Sequence, residues 1–397
     1  MKYIKLVTIA FLIFGCQEND QLTQESKELI VVEQDFGKAL EIAAQEEKLL
    51  FIDFYTSWCA PCKKLDQLVF QNDSIKEVLG EDFVMLKYDA ENDTVFHLSK
   101  KHHVSSYPTG IVLNEEGFIL NRKYGFPGQD SISLRKSVLE FTDESIKLNE
   151  DNSILSGYSN VITPSKYPKF YVDYVNRTNT KIDATELSDY FVNTEDKFSE
   201  AYFSTLIYFG RDAPVSVADV ILDNKQRYID LYGKNDVDIL LYALTTAKFN
   251  AAISEIDQDK YDQAVEFAKN ALSAGWVEDI LPMYEKDYLK AQNKWDEVLE
   301  INKRLKSEGE FDNGYINYFS WQVYEECDNQ DVIEECLEWM KQVTNQEPNY
   351  AYLDTYAHLM NKSGNKTETK RIANLAIEAA KKENKSTETL EELIQAL

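Results

Sequence analysis

The stretch that decides the fold of the first part of the chain is Leu49-Leu-Phe-Ile-Asp-Phe-Tyr-Thr-Ser-Trp-Cys-Ala-Pro-Cys-Lys-Lys64. Its first seven residues form a near-continuous apolar run, which is typical of a strand that is buried on both faces of a sheet. From Pro61 to Leu79 the apolar spacing is helical, and proline is harmless in the first turn because the N–H it lacks would have no partner there. The stretch therefore predicts a strand that leads directly into a helix, with two cysteines at the junction.

The two cysteines, Cys59 and Cys62, have the spacing that thiol–disulfide exchange requires. A thiol at a helix N-terminus faces unpaired N–H groups, which lower its pKa below the free value of about 8.5, and Lys63-Lys64 add positive charge. We therefore expect Cys59 to be the nucleophile and Cys62, one helical turn later, to be the resolving thiol. Asp53 lies six residues before Cys59, and burial there should raise its pKa so that it can exchange a proton with Cys62. A structural acid whose hydrogen bonds are satisfied is the alternative for Asp53.

The surrounding residues predict a complete α/β domain. Strands are expected at 29–32, 49–55 and 83–89, helices at 36–45, 61–79, 94–102 and 131–141, and a hairpin at 109–114 and 118–123. This order predicts a mixed sheet between layers of helices.

Residues 29–143 resemble a thioredoxin-fold domain, through 51–63, through Tyr107-Pro108-Thr109 and through Gly125 after the last strand. The resemblance implies a redox-active Cys59–Cys62 disulfide, the buried-acid role for Asp53, and a cis Pro108 beside the dithiol. It also implies that the backbone of Tyr107 binds an extended client chain, and Trp58 either packs over the dithiol or faces that client.

Residues 65–70 and the Asp73-Ser-Ile sequence are especially similar to the periplasmic domains of transmembrane thiol:disulfide interchange proteins, which implies a membrane thiol transporter as electron donor. The lysine that neighbours the buried acid in thioredoxin has no secure match, because Met85 takes its place and Lys87 falls further along the strand.

A Cys-X-X-Cys pair is also half of a zinc site, so a second pair of ligands has to be considered. His102 and His103 are adjacent and would point in different directions on a helix, and His97 stands apart from them. We expect these histidines to be solvated or to cap helices, and we expect neither a metal nor a cofactor.

The N-terminus reads as an export signal. Lys2 and Lys5 precede an apolar run of about nine residues, far short of the roughly 20 that span a bilayer. Ile13-Phe-Gly-Cys16 resembles the bacterial lipobox, which implies a signal peptide at 1–15, lipidation of Cys16 and a tether at 16–28. We expect an extracytoplasmic protein that is lipid-anchored to a bacterial membrane, on its periplasmic face or at the cell surface. The alternatives are an uncleaved short anchor and an apolar start that arises by chance.

After Asp143 the composition changes to a polar linker and leading segment, 144–184, and then to an all-α region, 185–397. A weak period of about 34–40 residues resembles degenerate tetratricopeptide repeats over 240–384, most clearly from Tyr350 through the turn at 363–365. The resemblance implies docking of a client or partner through exposed aromatics, although aromatics that fill the core between repeats are favoured. Cys327 and Cys336 are expected to be buried free thiols rather than a disulfide.

Composition narrows the function further. The chain has 397 residues, a formal net charge of −27 and only five cysteines. Such acidity excludes a nucleic-acid-binding protein, and the size and cysteine content exclude a disulfide-stapled miniprotein. The sequence thus predicts a membrane-anchored thiol:disulfide oxidoreductase, a reductase or isomerase of protein disulfides, with helical repeats for docking. A binding or assembly lipoprotein, in which the repeats do the main work and the first half is a docking module, is the alternative.

Overall fold

The computed structural model describes residues 28–161, 163–309 and 311–397, which form two compact units divided between Lys166 and Tyr167. The expected signal peptide, Cys16 and nearly all of the tether lie outside the described residues. Within the described ranges, no helix has both the length and the apolar composition that crossing a membrane requires.

The first unit is built around a five-stranded mixed sheet in the order β1-β3-β2-β4-β5. Strand β1 pairs parallel with β3 and β3 with β2, whereas β4 is antiparallel to both β2 and β5. The strands are β1 Ile30–Glu33, β2 Leu49–Tyr55, β3 Phe83–Asp89, β4 Thr109–Leu113 and β5 Ile119–Tyr124. This is the α/β sandwich that the sequence predicts.

Helices cover both faces of this sheet. They are α1 Phe36–Gln45, α2 Ala60–Leu65 with a π-helical turn Asp66–Phe70, α3 Asp73–Asp82, the short α4 Leu98–Lys101 and α5 Ser131–Glu150. On the face toward α2 and α5, Phe51 is fully buried and makes edge-to-face contacts with Phe70 and Phe141. This aromatic core fixes α2, and with it the two cysteines, above the carboxyl end of β2.

Three element boundaries differ from the expectation. The helix expected over 61–79 is interrupted, because the π-helical turn ends at Phe70 and the side chain of Asn72 caps a new helix by accepting the Ile75 N–H at 3.3 Å. The helix expected over 94–102 is only the single turn Leu98–Lys101. Helix α5 continues to Glu150, nine residues past its expected end at Phe141.

The segment after α5 also departs from the expected linker. The Leu155 N–H donates to the Ile119 carbonyl at 2.8 Å, and the side chain of Tyr158 is fully buried. The beginning of the segment 144–184 therefore belongs to the first unit.

The second unit is all helical in its described residues, as the sequence predicts. Its helices are α6 Lys169–Val175, α7 Ala184–Asn193, α8 Glu200–Phe209, α9 Val215–Asp223, α10 Lys225–Tyr232, α11 Lys234–Glu255, α12 Gln258–Ala271, α13 Ala274–Ala291, α14 Trp295–Ser307, α15 Asn313–Glu326, α16 Gln330–Gln346, α17 Tyr350–Lys362, α18 Lys366–Lys382 and α19 Glu388–Gln395.

Several aromatic residues of this unit lie in its core. Trp295, Trp339 and Tyr356 are buried, and Phe249 stacks on Tyr284 with ring centroids 4.1 Å apart. Cys327 and Cys336 are buried free thiols, as expected, and burial raises the pKa of Cys336 to about 12. Trp276 and Tyr318 are exceptions, exposed by 37% and 58%.

Candidate active site

The two cysteines lie where β2 passes into α2. Cys59 is the N-cap residue of α2, and it forms a disulfide with Cys62 across a Cα–Cα distance of 5.3 Å. The Cys62 N–H points at Cys59 Sγ, 3.1 Å away, and the Cys59 N–H donates to the Thr56 carbonyl at 3.2 Å. An N–H group of the first helical turn thus faces the sulfur that would carry negative charge as a thiolate.

Asp53 lies on β2 and is 3% exposed. Its Oδ1 atom has no hydrogen-bond partner among the described residues. Burial raises the pKa of Asp53 to about 7, against the opposing effect of the Lys87 charge, while Asp66 and Glu33 raise it further. A carboxyl with this pKa can both accept and deliver a proton near neutrality.

Lys87, which was not a secure match in the sequence, is the neighbour of the buried acid on the adjacent strand. In the β2–β3 register Asp53 pairs with Lys87, whereas Met85 pairs with Phe51 and is buried in the core. The Lys87 ammonium forms an ion pair with Asp66. Burial opposes the charge of Lys87, but its bond to Asp66 and the nearby carboxylates outweigh burial and raise its pKa.

A cavity of about 220 Å³ joins these groups. Its lining includes Cys62 and Asp53, together with Lys87 and Asp66, whereas Cys59 does not line it. Asp53 and the resolving cysteine therefore line one cavity, and the attacking cysteine is not part of its lining.

The other side of the dithiol carries the residues expected to meet a client. Trp58 is 61% exposed; its indole N–H donates to Glu91 at 3.0 Å, and its ring meets that of Tyr107 edge-on at 6.1 Å. The Tyr107–Pro108 bond is cis, as the resemblance implies, and the Pro108 carbonyl accepts the Gly125 N–H at 2.8 Å. The Trp58 side chain is thus exposed next to the dithiol and contacts the Tyr107 ring.

The histidines are placed differently from the expectation. His102 and His103 are buried rather than solvated, and burial, reinforced by the charges of Lys101 and Arg122, lowers the pKa of His102 well below its usual value. His97 has a left-handed backbone at the start of α4 and makes no side-chain cap. Among the described residues, no group of His, Cys, Asp or Glu is arranged to hold a metal ion.

Two residues of this site were missed in the sequence. Asp66 follows Cys62 by four residues, a spacing that places both on one face of a helix and that could have drawn attention to it. Glu91 reaches Trp58 from a turn 33 residues away, and no local pattern indicates such a contact.

Comparison with known proteins places the first unit among thioredoxin-like proteins. Residues 31–114 match the family model described as thioredoxin-like. A thioredoxin of Echinococcus granulosus is 38% identical over a match that covers 21% of this chain and 71% of that protein. The sporulation thiol-disulfide oxidoreductase A of Bacillus subtilis is 32% identical, covering 22% of this chain and 66% of that protein. The thiol:disulfide interchange protein DsbD of Actinobacillus pleuropneumoniae is 28% identical, covering 19% of this chain and 13% of that protein.

Proposed function

The chain belongs to the thioredoxin family through its first unit and is a thiol:disulfide oxidoreductase, and we propose that it reduces or isomerises disulfides of exported proteins while anchored to a membrane by lipid. The observation that carries the proposal is the Cys59–Cys62 disulfide, whose resolving sulfur shares a cavity with the buried Asp53.

The geometry supports the following reaction. The Cys59 thiolate attacks a client disulfide, and one client sulfur leaves as a thiolate that takes a proton from water. The Cys62 thiol then gives its proton to the Asp53 carboxylate and attacks Cys59 Sγ, which releases the second client sulfur. Two electrons pass from the dithiol to the client, and Cys59 and Cys62 are left as a disulfide.

Each turnover consumes the dithiol, so a reductant must restore it. In an oxidising compartment a thiol-containing electron donor is needed, and we propose a membrane thiol transporter. Similarity to the interchange protein over part of the first unit supports this donor.

The site beside the dithiol supports client binding. We propose that an extended client segment lies against Trp58, bonds to the Tyr107 backbone and passes Pro108. The second unit, which we propose to contain tetratricopeptide-like repeats, would hold the client or a partner through exposed aromatics such as Tyr318.

A turnover assay tests the enzymatic proposal. Insulin reduction with dithiothreitol should fall to the uncatalysed rate in Cys59→Ser, because no nucleophile remains. Cys327→Ser, which removes a buried thiol of the second unit, is the matched control and should retain full activity. Activity that survived in Cys59→Ser would overturn the proposal.

Trapping tests the client class. Cys62→Ser leaves Cys59 without its resolving thiol, so mixed disulfides with clients should accumulate and can be identified by mass spectrometry. If Tyr318→Ala in the same background left the trapped set unchanged, docking through this aromatic would be refuted.

Fractionation tests the anchor. Wild-type protein should sediment with membranes and carry acyl chains, whereas Cys16→Ala should be released. A Cys16→Ala protein that stayed in the membrane fraction would contradict lipidation at that residue.

A further inference from the structure

Lys87 lies near two carboxyl groups that belong to different elements. It is the β3 partner of Asp53 in the β2–β3 register, yet its ammonium is bound by Asp66, the first residue of the π-helical turn that follows α2. Asp66 is held in turn by Gln71, whose side-chain amide donates to Asp66 Oδ2 at 2.6 Å.

The arrangement leaves Asp53 without the partner that its register offers. Its Oδ1 atom is buried and accepts no hydrogen bond from the part of the chain that the structure describes, although the neighbouring strand carries an ammonium. A carboxyl that is buried and lacks a cationic partner favours its neutral form. The other ionisable groups that line the cavity are Glu33 on β1, Tyr55 on β2, and Cys62 and Lys63 on α2.

We propose that Asp66 is a positioning residue that binds the Lys87 ammonium away from Asp53 and so keeps the Asp53 carboxyl protonated while Cys59 and Cys62 are oxidised. The proposal rests on the proton-transfer role that we propose for Asp53.

The protonated form is what the oxidised enzyme needs. When a donor thiolate attacks Cys59 Sγ, the Cys59–Cys62 bond breaks and Cys62 leaves as a thiolate. The Asp53 carboxyl gives that thiolate its proton and becomes a carboxylate, and the second donor thiol then displaces Cys59 to complete the two-electron transfer. By holding Lys87, Asp66 supports this reductive half of the cycle.

The Lys87 and Asp66 charges shift the pKa of Asp53 in the directions that the proposal requires. The Lys87 charge lowers the pKa of Asp53, and the Asp66 charge raises it. Loss of the Asp66 charge should therefore lower the pKa of Asp53 in two ways. It removes a negative charge that raises this pKa, and it frees Lys87 to pair with Asp53.

The experiment measures how fast dithiothreitol reduces the Cys59–Cys62 disulfide of the full chain as pH changes. The rate constant is expressed per thiolate of dithiothreitol, so that titration of the reagent cancels. For wild type it should fall as pH rises through about 7, where Asp53 loses its proton. Asp66→Asn should move this fall to lower pH by about one unit, and Lys87→Met should move it to higher pH.

Controls separate the proposal from structural damage and from failure of the Asp53 role. Asp66→Glu keeps the carboxylate and should restore the wild-type profile, and Asp73→Asn, the same charge change at a fully exposed side chain on α3, should leave it in place. Asp53→Asn should abolish the fall. The fall of the rate constant could disappear in Asp53→Asn and yet occur at the wild-type pH in Asp66→Asn. That result would overturn the proposal for Asp66 alone. A fall that persists in Asp53→Asn overturns both roles.

Discussion

Asp53 is an ionisable group that the fold holds away from water, so the stability of the first unit depends on pH. Its pKa is about 7 in the folded chain and 3.8 as a free side chain, so the folded state binds this proton more tightly than the unfolded state. The stabilisation is fully present below pH 4 and is lost as pH rises through about 7. At one pKa unit per 1.4 kcal/mol, the change is on the order of 4 kcal/mol.

Asp53→Asn should remove most of this dependence, because an amide does not ionise. Hydrogen exchange of the β2 amides, measured by mass spectrometry, should show wild type less protected at pH 8 than at pH 5 after correction for intrinsic exchange. The Asn variant should show nearly equal protection at both, and Asp73→Asn should behave as wild type. Equal pH dependence in wild type and Asp53→Asn would refute the raised pKa.

Trp58 presents an indole at the rim of the dithiol, and its function is testable separately from the chemistry. Trp58→Ala should raise KM for a protein disulfide about tenfold, since a lost interfacial aromatic costs over 1 kcal/mol. Reduction of the enzyme by dithiothreitol should change little, because that reagent does not need the indole. Trp58→Phe should retain much of the affinity, and equal losses with both disulfides would instead mean that Trp58 supports the dithiol itself.

Gly110 shows how tightly β4 is packed against the aromatic core. A Cβ atom at this position would lie 2.8 Å from Phe126, 3.0 Å from Phe51 and 3.2 Å from Phe141. Gly110→Ala should therefore destabilise the first unit by about 1–3 kcal/mol, detected as a lower urea midpoint for exchange of the β4 amides. Gly275→Ala in helix α13 is the matched control, because a Cβ atom added there would have no atom within 4 Å apart from its own helix backbone and chain neighbours. It should leave its own unit as stable or more stable. No loss in Gly110→Ala would mean that the three rings can move apart.

Elements with a local signal were predictable, and elements that depend on pairing or tertiary contact were not. The buried run of β2 and Pro61 after Cys59 are local patterns that predicted the observed strand and the observed start of the helix. The expected hairpin at 109–114 and 118–123 is formed by β4 and β5. The partnership of Asp53 with Lys87 depends on the β2–β3 register, which the apolar pattern of β3 alone does not specify. The break after Phe70 depends on a π-helical turn and on the Asn72 cap, which interrupt a continuous helical pattern.

The candidate site divides in the same way. Cys59, Cys62 and Asp53 could be identified because their chemistry and spacing lie within ten residues of one another. Asp66 and Glu91 contact Lys87 and Trp58, which are distant in the sequence and which only the fold brings close. The burial of His102 and His103 likewise depends on tertiary packing.

For the whole molecule, the described cysteines separate by unit into reactive and unreactive pairs. Cys327 and Cys336 are fully buried in the second unit, and burial raises the pKa of both thiols. Thiolate is the reactive form, so these two should resist alkylation at pH 8 until the chain is unfolded. Peptide mapping after iodoacetamide treatment of the reduced native protein should find label on Cys59 first and on Cys327 and Cys336 only in denaturant. Rapid native labelling of Cys336 would show that the second unit opens readily.

The cavity lined by Cys62 and Asp53 is distinct from the surface on which we propose that clients bind. Cys59, Trp58 and Pro108, against which we propose that a client lies, do not line this cavity, so we expect the cavity to stay open to water while a client is bound. Asp53 can then exchange its proton with bulk water during the lifetime of the mixed disulfide. Access of water to Asp53 should then not depend on the size of the client, so the resolution step should show the same solvent deuterium isotope effect with a short peptide as with a large folded client.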